Sequence, residues 1–330
     1  MERTTGVNSW ASAMLVVGLL TVAGCNSGGG SSSSTSSTIT YSGSTQPAQI
    51  DTTNAGTVAG TSAGGAGAAS AVAAGAVATP SSSGSASHIG HLVASLAKER
   101  YQTFPRGTGP AGVTYNQTIP GAVSGSMTVS GSVNATTQVG TVTIAFNQYN
   151  DGVGSMDGSM TVQVVGYDIA SDTMTDATIQ FDHLTVKDSV DWFSMNGSIV
   201  DRVNLTSQTE TMTSNLDMVD HYLGESVRFQ NFVIVDVYDS FLFPTTYTET
   251  ENGRVYISSF GYVDLTTAAP LVYTEATQAN PDSGGPITMT GANNSAVRLT
   301  PVDATNVFEE VDANGDGVFE FSQTVAWSNL

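Results

Sequence analysis

The chain has 330 residues, of which 29 are acidic, 9 are Lys or Arg and one is Cys, and its formal net charge is −20. This charge excludes a nucleic-acid-binding protein that works through a basic patch. A single Cys excludes a disulfide framework and any Cys-based zinc or iron–sulfur cluster.

The N-terminus is typical of an export signal. Arg3 precedes an apolar run from Ala11 to Ala23, which is too short for a helix that spans a bilayer (about 20 residues) and suits a secretory signal. The run ends in Val22-Ala23-Gly24-Cys25, which resembles the bacterial lipoprotein signal, in which a small residue precedes the acylated Cys. The resemblance implies a signal peptide over residues 1–24 and a covalent lipid on Cys25. The alternative is an ordinary cleaved signal that happens to end at a free Cys.

The residue after the Cys bears on localisation. In lipoproteins of this type, Asp at that position marks retention in the inner membrane, and here the residue is Asn26. The resemblance therefore implies a protein anchored to the outer membrane by its lipid, on either its periplasmic or its outer face.

Residues 25–87 consist mainly of Gly, Ser, Thr and Ala, with Asp51 as the one charged residue. Such a composition buries too little apolar surface to offset the entropy of ordering the chain. It predicts a disordered tether between the lipid and the folded part.

Residues 88–103 carry the helical period. Ile89, Leu92, Val93 and Leu96 form one apolar stripe, and Pro105 ends the segment. We expect this helix to pack on the region that follows. His88 and His91 could share a metal, but with no third ligand in reach they are interpreted as solvent-facing.

The rest of the single domain, which spans 88–330, alternates apolar and polar residues at strand period. The pattern [Ile/Val]-x-Phe-polar-x-[aromatic/Leu] begins at Ile144, Ile179 and Val227. Each copy is followed by a pair typical of type I′ hairpin turns: Asp157-Gly158, Asn196-Gly197 and Asn252-Gly253.

We therefore predict hairpin repeats near residues 141, 177 and 226. The expected fold is mainly β: a long antiparallel meander of hairpin repeats. It would curl into a barrel, half-barrel or sandwich, with the N-terminal helix packed on it.

One loop bears on catalysis. Asp282-Ser283-Gly284-Gly285-Pro286 resembles the nucleophile loop of chymotrypsin-like serine proteases. That chemistry needs a His base and an Asp that orients it, and none of the four His residues lies in the family's setting. We therefore predict no catalytic residue and no enzyme, with a hydrolase that uses Ser283 as a remote alternative.

A second loop bears on metal binding. The segment from Asp312 to Glu320 has oxygen-bearing side chains at positions 1, 3 and 5, Gly at 6 and an acid at 9, and it resembles calcium loops of the Asp-x-Asn-x-Asp-Gly type. Position 12 is Gln323 rather than the Glu of an EF-hand, so the closer resemblance is to loops between strands. It implies one calcium ion with ligands from Asp312, Asn314, Asp316, the carbonyl of Val318, and Glu320. The alternative is a turn without a metal.

These features predict a lipid-anchored outer-membrane protein with a non-catalytic binding, adhesion or envelope-structural β domain. Its partners would be the membrane, through the lipid, and an unspecified envelope component. The main alternative is a carrier or chaperone for a lipid or lipoprotein. The expected curved sheet with a helix packed on it resembles, in architecture only, the half-barrels of the periplasmic lipoprotein-trafficking system. An apolar cavity open to solvent would favour the carrier, and a filled sheet face would favour the structural role.

Overall fold

The structure is a computed structural model, and it describes residues 39–63, 96–97, 99–107, 113–188, 192–241, 244–274 and 280–330. Cys25, the signal peptide, His88, His91 and residues 88–95 of the predicted helix lie outside the described residues. Thr38–Leu330 form one compact unit. Among the described residues, no helix has the length and apolar character needed to cross a membrane.

Two α-helices and sixteen strands make up the described chain. Helix α1 covers residues 55–63, and helix α2 is seen over residues 96–97 and 99–103. The strands are β1 (Arg106–Gly107), β2 (Val113–Pro120), β3 (Ser124–Asn134), β4 (Gly140–Asn150), β5 (Ser155–Asp168), β6 (Thr173–Lys187), β7 (Trp192–Asn204), β8 (Thr209–Asp220), β9 (Glu225–Tyr238), β10 (Tyr247–Ile257), β11 (Gly261–Thr267), β12 (Leu271–Tyr273), β13 (Ile287–Thr290), β14 (Ala296–Pro301), β15 (Asn306–Asp312) and β16 (Phe321–Ala326).

All sixteen strands belong to one sheet. From β3 to β11 each strand pairs with its neighbour in sequence, and β13 to β16 continue the order, while β2 pairs with β3 and β12 with β10. The pairs are antiparallel except for the two-residue β1, which runs parallel to β3. The predicted mainly β meander is confirmed, and the sheet is not closed into a barrel.

The strands form because their apolar residues recur at every second position. In β4, Val142, Ile144 and Phe146 are buried while the residues between them are more exposed. One face of the sheet therefore carries the core, which α1, α2 and residues 48–50 also enter.

The repeated Phe motif is real, but the prediction that Asp-Gly and Asn-Gly form turns after it is wrong. Gly158, Gly197 and Gly253 lie inside strands β5, β7 and β10. Each has positive φ, and a Cβ there would come within 2.2, 2.2 and 2.5 Å of backbone atoms of the neighbouring strand. Glycine is therefore required by the close approach of two strands.

The motif marks β-bulges in the strand opposite each glycine. Between Phe146 and Tyr149, and again between Phe181 and Leu184, the register with the next strand slips. In the third copy the register with β10 slips between Gln230 and Val233, opposite Gly253, and Asn231 has a φ of 47°. The bulge turns both apolar residues of the motif inward, and Phe229 and Phe232 meet edge to face at 5.4 Å.

The prediction of a disordered tether over 25–87 is wrong for residues 39–63. Ala48 and Ile50 are fully buried. The N–H of Ala48 donates to the carbonyl of Tyr262 (2.8 Å), and the carbonyl of Ala48 accepts the N–H of Ala292 (2.7 Å). Asp51 caps α1 by accepting hydrogen bonds from the backbone N–H groups of Thr53 (2.8 Å) and Asn54 (3.2 Å). The domain therefore begins well before the predicted boundary at residue 88.

Small residues explain why this segment resembles a linker and yet packs. Ala55 and Ala59 of α1 are 2% and 0% exposed, and a Cβ on Gly60 would lie 2.4 Å from the backbone of Leu330. Small side chains let the helix come close to the rest of the domain, so burial does not require large apolar residues here.

Helix α2 packs on the sheet in its described part, as predicted. The buried residues are Ala97, Tyr101 and Phe104, whereas Leu96 of the predicted stripe is only half-buried. Tyr101 donates a hydrogen bond to the carbonyl of Gln138 at 2.8 Å, which fixes the helix on the β3–β4 connection.

Candidate functional site

The loop between β15 and β16 holds the predicted calcium ligands. Asp312 ends β15 and is 3% exposed, whereas Asp316 and Glu320 are exposed. Carboxylate oxygens of these three residues lie within 4.8 Å of one another, and they form the one such group found among the described residues. The fold therefore brings together residues that are eight positions apart in sequence.

Hydrogen bonds inside the loop set its shape. Asp312 accepts the N–H groups of Gly315 (2.7 Å) and Gly317 (2.8 Å), one on each carboxylate oxygen. Asn314 accepts the N–H of Asp316, and Asp316 accepts the N–H of Val318, both at 2.8 Å.

Glu320 closes the loop, because the side-chain amide of Asn314 and the backbone N–H of Ala313 both donate to it. The loop is thus flanked by strands, as predicted, and its converging oxygens match the hard oxygen donors that calcium prefers. Val318 joins the loop network through its amide, and its side chain is 61% exposed.

A cavity of about 770 Å³ lies between α1 and the inner face of the sheet. Its apolar floor comes from Phe193 of β7, Met218 of β8, and Val227 and Phe229 of β9. Residues of α1, of β15 and β16 and of the C-terminal segment complete the lining. Leu223, in the β8–β9 turn, also lines it and is 76% exposed.

The charged side chains that line this cavity are all acidic. Threonines of residues 52–61 line the helix side, and three carboxylates, those of Asp220, Glu225 and Glu309, also line the cavity. No Lys, Arg or His is among the described residues that line it. An apolar floor with a few convergent polar groups is typical of small-molecule sites.

A row of buried carboxyl groups crosses the inner face of β7 to β10. Glu210, Asp236 and Glu249 are direct neighbours in the register of three successive strands. Asp201 and Glu251 extend the row at its two ends, and all five residues are at most 6% exposed.

Carboxyl groups are the main partners within this row. Asp201 interacts with Glu210, and Glu249 interacts with both Asp236 and Glu251. Burial is the largest cause that raises the pKa of Asp201, Asp236 and Glu251 well above the usual range, and neighbouring carboxylates add to it.

Tyrosines cover the row on one side. Tyr238 donates to Glu210 at 3.0 Å and Tyr273 donates to Glu249 at 2.9 Å. Tyr247 lies between them, with its ring 5.6 Å from that of Tyr238 and 4.2 Å from that of Tyr273. Burial raises the pKa of the Tyr238 and Tyr273 phenols, which remain hydrogen-bond donors.

This row is not among the predicted site residues, although the alternation of buried and exposed residues in a strand contains a signal for it. Glu210 has the same parity as the buried Met212, Leu216 and Met218 of β8. A strand that buries every second residue must therefore bury Glu210 as well.

The two described histidines do not support a hydrolase built on Ser283. His183 bonds to Asp182, and Nε2 of His221 lies 2.7 Å from Oγ of Ser194. Ser194 is 3% exposed and also shares a hydrogen bond with Thr185 at 2.7 Å. Burial lowers the pKa of His221, whose ring stacks on Trp192 at 4.6 Å, so this pair serves packing on the outer face.

Comparison with known proteins gives no relative: no family model, no curated protein and no solved structure matches the chain.

Proposed function

We propose that this chain is a lipid-anchored protein of the bacterial outer membrane whose sheet domain binds a small amphipathic molecule without chemical conversion. The observation that carries the proposal is the cavity between α1 and the sheet. Its volume of about 770 Å³ falls within the roughly 300–1,000 Å³ of typical ligand sites. Its apolar floor suits a hydrocarbon chain, and its carboxylates and threonines suit a polar end.

The anchor is supported by the sequence around Cys25. Two or three acyl chains, at about 0.8 kcal/mol per buried CH₂, would hold the protein on the membrane almost permanently. Wild-type chain should partition into the detergent phase, and Cys25→Ser should give an uncleaved or water-soluble product. Unchanged partitioning with a normal mature mass would disprove the anchor.

A carrier role is the second candidate, and both the cavity and the β8–β9 turn favour it. Tyr222 and Leu223 are 55% and 76% exposed, and Leu223 belongs to the cavity wall. Apolar side chains at an opening can contact the surface from which an apolar ligand enters. A carrier would transfer ligand between vesicles, whereas a binding protein would hold it.

The C-terminal loop is proposed as a structural calcium site with ligands from Asp312, Asn314, Asp316, Val318 and Glu320. Its place at the end of the sheet, between β15 and β16, gives the ion a role in stability. Gln49 ties the loop to the N-terminal segment by a hydrogen bond to the carbonyl of Ala313 at 3.1 Å, so the ion would also support the wall next to α1.

The binding proposal is tested by titration with N-phenyl-1-naphthylamine, an uncharged apolar dye. The protein is the full chain with Cys25→Ser, so that neither acyl chains nor detergent compete. We expect saturable fluorescence with one dye per chain. Val227→Trp, which fills the cavity, should weaken binding at least about tenfold, equivalent to about 1.4 kcal/mol.

The matched control is Val237→Trp on the same strand, because Val237 is 43% exposed and does not line the cavity. It should bind the dye as the parent does. Absence of saturable binding, or equal binding by the two Trp variants, would refute the proposal.

A further inference from the structure

We propose that the cavity ligand carries a protonated primary amine, so that it is a cationic amphiphile. This inference rests on the proposed binding function and names the ligand class. Every charged side chain that lines the cavity among the described residues is a carboxylate. A ligand with an anionic head would meet only like charge in a space with a low-dielectric floor, where repulsion is poorly screened.

Glu309 is the group that points to a hydrogen-bond donor. It is 2% exposed and belongs to β15. Its Oε2 accepts a hydrogen bond from Nε2 of Gln323 at 2.6 Å, whereas its Oε1 has no hydrogen-bond partner among the described residues. A buried carboxylate oxygen without a donor is costly, and an ammonium group would supply the missing bond.

Helix α1 leaves the space beside this oxygen free of a side chain. The helix residue that faces it is Gly56, on which a Cβ would lie 3.6 Å from Oε1 of Glu309. Oε1 is sealed from solvent, so a ligand ammonium reaches it only by a small displacement of α1 or of the Glu309 side chain.

The other two carboxylates are already held by the protein. Asp220 accepts the backbone N–H groups of Tyr222 (2.8 Å) and Leu223 (3.0 Å). Glu225 accepts the hydroxyls of Ser258 and Ser259 at 3.1 and 3.2 Å. They add a negative field that attracts a cation, and Glu309 supplies the direct contact. The floor of Phe193, Met218 and Phe229 then takes the hydrocarbon tail.

The test is displacement of N-phenyl-1-naphthylamine from the Cys25→Ser chain by four compounds with the same tail: decylammonium, decanol, decanoate and decyltrimethylammonium. All are used below their micellar concentrations and at about 0.15 M salt, which screens the general attraction of an acidic protein for cations. We expect decylammonium to bind about tenfold tighter than decanol, and decanoate to bind most weakly. Decyltrimethylammonium cannot donate a hydrogen bond and should bind severalfold more weakly than decylammonium.

Glu309→Gln should reduce the advantage of decylammonium over decanol to less than about twofold. The matched control is Glu310→Gln, which removes the same charge from the next residue. Glu310 is held by Arg298 through two hydrogen bonds of 2.8 Å and does not line the cavity. This control should keep the preference.

Equal binding of decylammonium and decanol by the parent chain would overturn the inference and leave the binding site intact. Retention of the preference in Glu309→Gln would overturn it as well. If the thermal melt shows that Glu309→Gln does not fold, the inference is decided on the parent chain. There, decylammonium, a primary amine, is compared with decyltrimethylammonium, which is quaternary. Failure of the dye itself to bind would instead refute the proposed function.

Discussion

Two groups of acidic residues in this sheet differ in how their charge is balanced. In the C-terminal loop, Asp312 and Asp316 accept backbone N–H groups, and two of the three carboxylates are exposed. In the row across β7 to β10, the partners of residues such as Asp236 and Glu249 are other carboxyls and tyrosines, and the row is buried.

A buried group of carboxyls without basic partners holds protons, whereas a group with exposed members can hold a cation. Exposed carboxylates are solvated by water, which they can exchange for calcium. Like charges directly opposite on a sheet are destabilising, so the simultaneous ionisation of Glu210, Asp236 and Glu249 is unfavourable in the native state. Buried carboxyls that lie side by side without a basic partner are stabilised when some of them keep their protons, and the row brings Asp201 next to Glu210 and Glu249 next to Asp236.

The largest expected effect is therefore a loss of stability as pH rises. The pKa values of Asp201, Asp236 and Glu251 are raised in the folded state, so the native protein holds protons that the unfolded chain releases above about pH 4. Stability from these groups is complete below that pH and is lost as pH rises through the folded pKa values. Each proton that the native state holds and the unfolded chain has released lowers the free energy of unfolding by about 1.4 kcal/mol for each unit by which pH rises.

Urea unfolding of the full Cys25→Ser chain at pH 5, 6, 7 and 8 checks this. The free energy of unfolding should be lower at pH 8 than at pH 5, although His221, whose pKa is lowered by burial, adds stability as pH rises towards 7. A stability that is flat or rises between pH 7 and pH 8, above the range in which His221 titrates, would contradict the prediction that the row holds protons.

The next largest effect comes from removing one acid of the row. Asp236→Asn keeps the size of the side chain but cannot ionise, so the pH slope should flatten by up to about 1.4 kcal/mol per pH unit. At pH 8 the variant should be more stable than the parent. The matched control is Asp264→Asn, because Asp264 is half-exposed and pairs with Arg254 at 2.7 Å. If the free energy of unfolding of Asp236→Asn depends on pH as steeply as that of the parent, Asp236 does not hold one of the extra protons of the native state.

A smaller effect is expected from Tyr273→Phe. This change removes the hydroxyl that donates to Glu249 at 2.9 Å and leaves a buried acceptor with one partner fewer. It should cost about 1–3 kcal/mol in urea unfolding at pH 5. Tyr222→Phe, at an exposed tyrosine, should cost less than about 0.5 kcal/mol. Equal costs for the two variants would show that the phenol contributes nothing to the row.

The meander and the position of the C-terminal loop between two strands could both be predicted from the sequence, and for the same reason. Both are local patterns: the alternation in β4 from Val142 to Phe146, and the oxygen spacing from Asp312 to Glu320. The burial of β4 confirms the first, and the convergence of three carboxylates agrees with the second.

The features that could not be predicted from the sequence depend on contacts between residues that are distant in the chain. Gly158 and Gly197 occur in pairs that favour turns, but the bulges opposite them set their backbone. Ala48 and Ile50 lie in a segment with the composition of a linker, but they bury against β11 and residues 291–295. The cavity could not be predicted, since one of its walls is a helix in that same segment.

The weakest effect that we expect is the stabilisation of the domain by calcium bound to the C-terminal loop, which is the exposed group of acidic residues. Extracellular calcium modules have dissociation constants of about 10⁻⁴–10⁻³ M, so about 1 mM calcium would stabilise the domain by about 0.4–1.4 kcal/mol. For a domain of this size, the melting temperature should rise by about one to five degrees over that with chelator.

The informative variant is Asp316→Asn with Glu320→Gln, because Asp312 also holds the N–H groups of Gly315 and Gly317 and its loss would unfold the loop itself. This double variant should lose the shift, whereas Asp236→Asn, which alters only the buried row, should keep it. If calcium leaves the melt of the parent chain unchanged, or shifts the double variant equally, the loop is a turn held by its own hydrogen bonds.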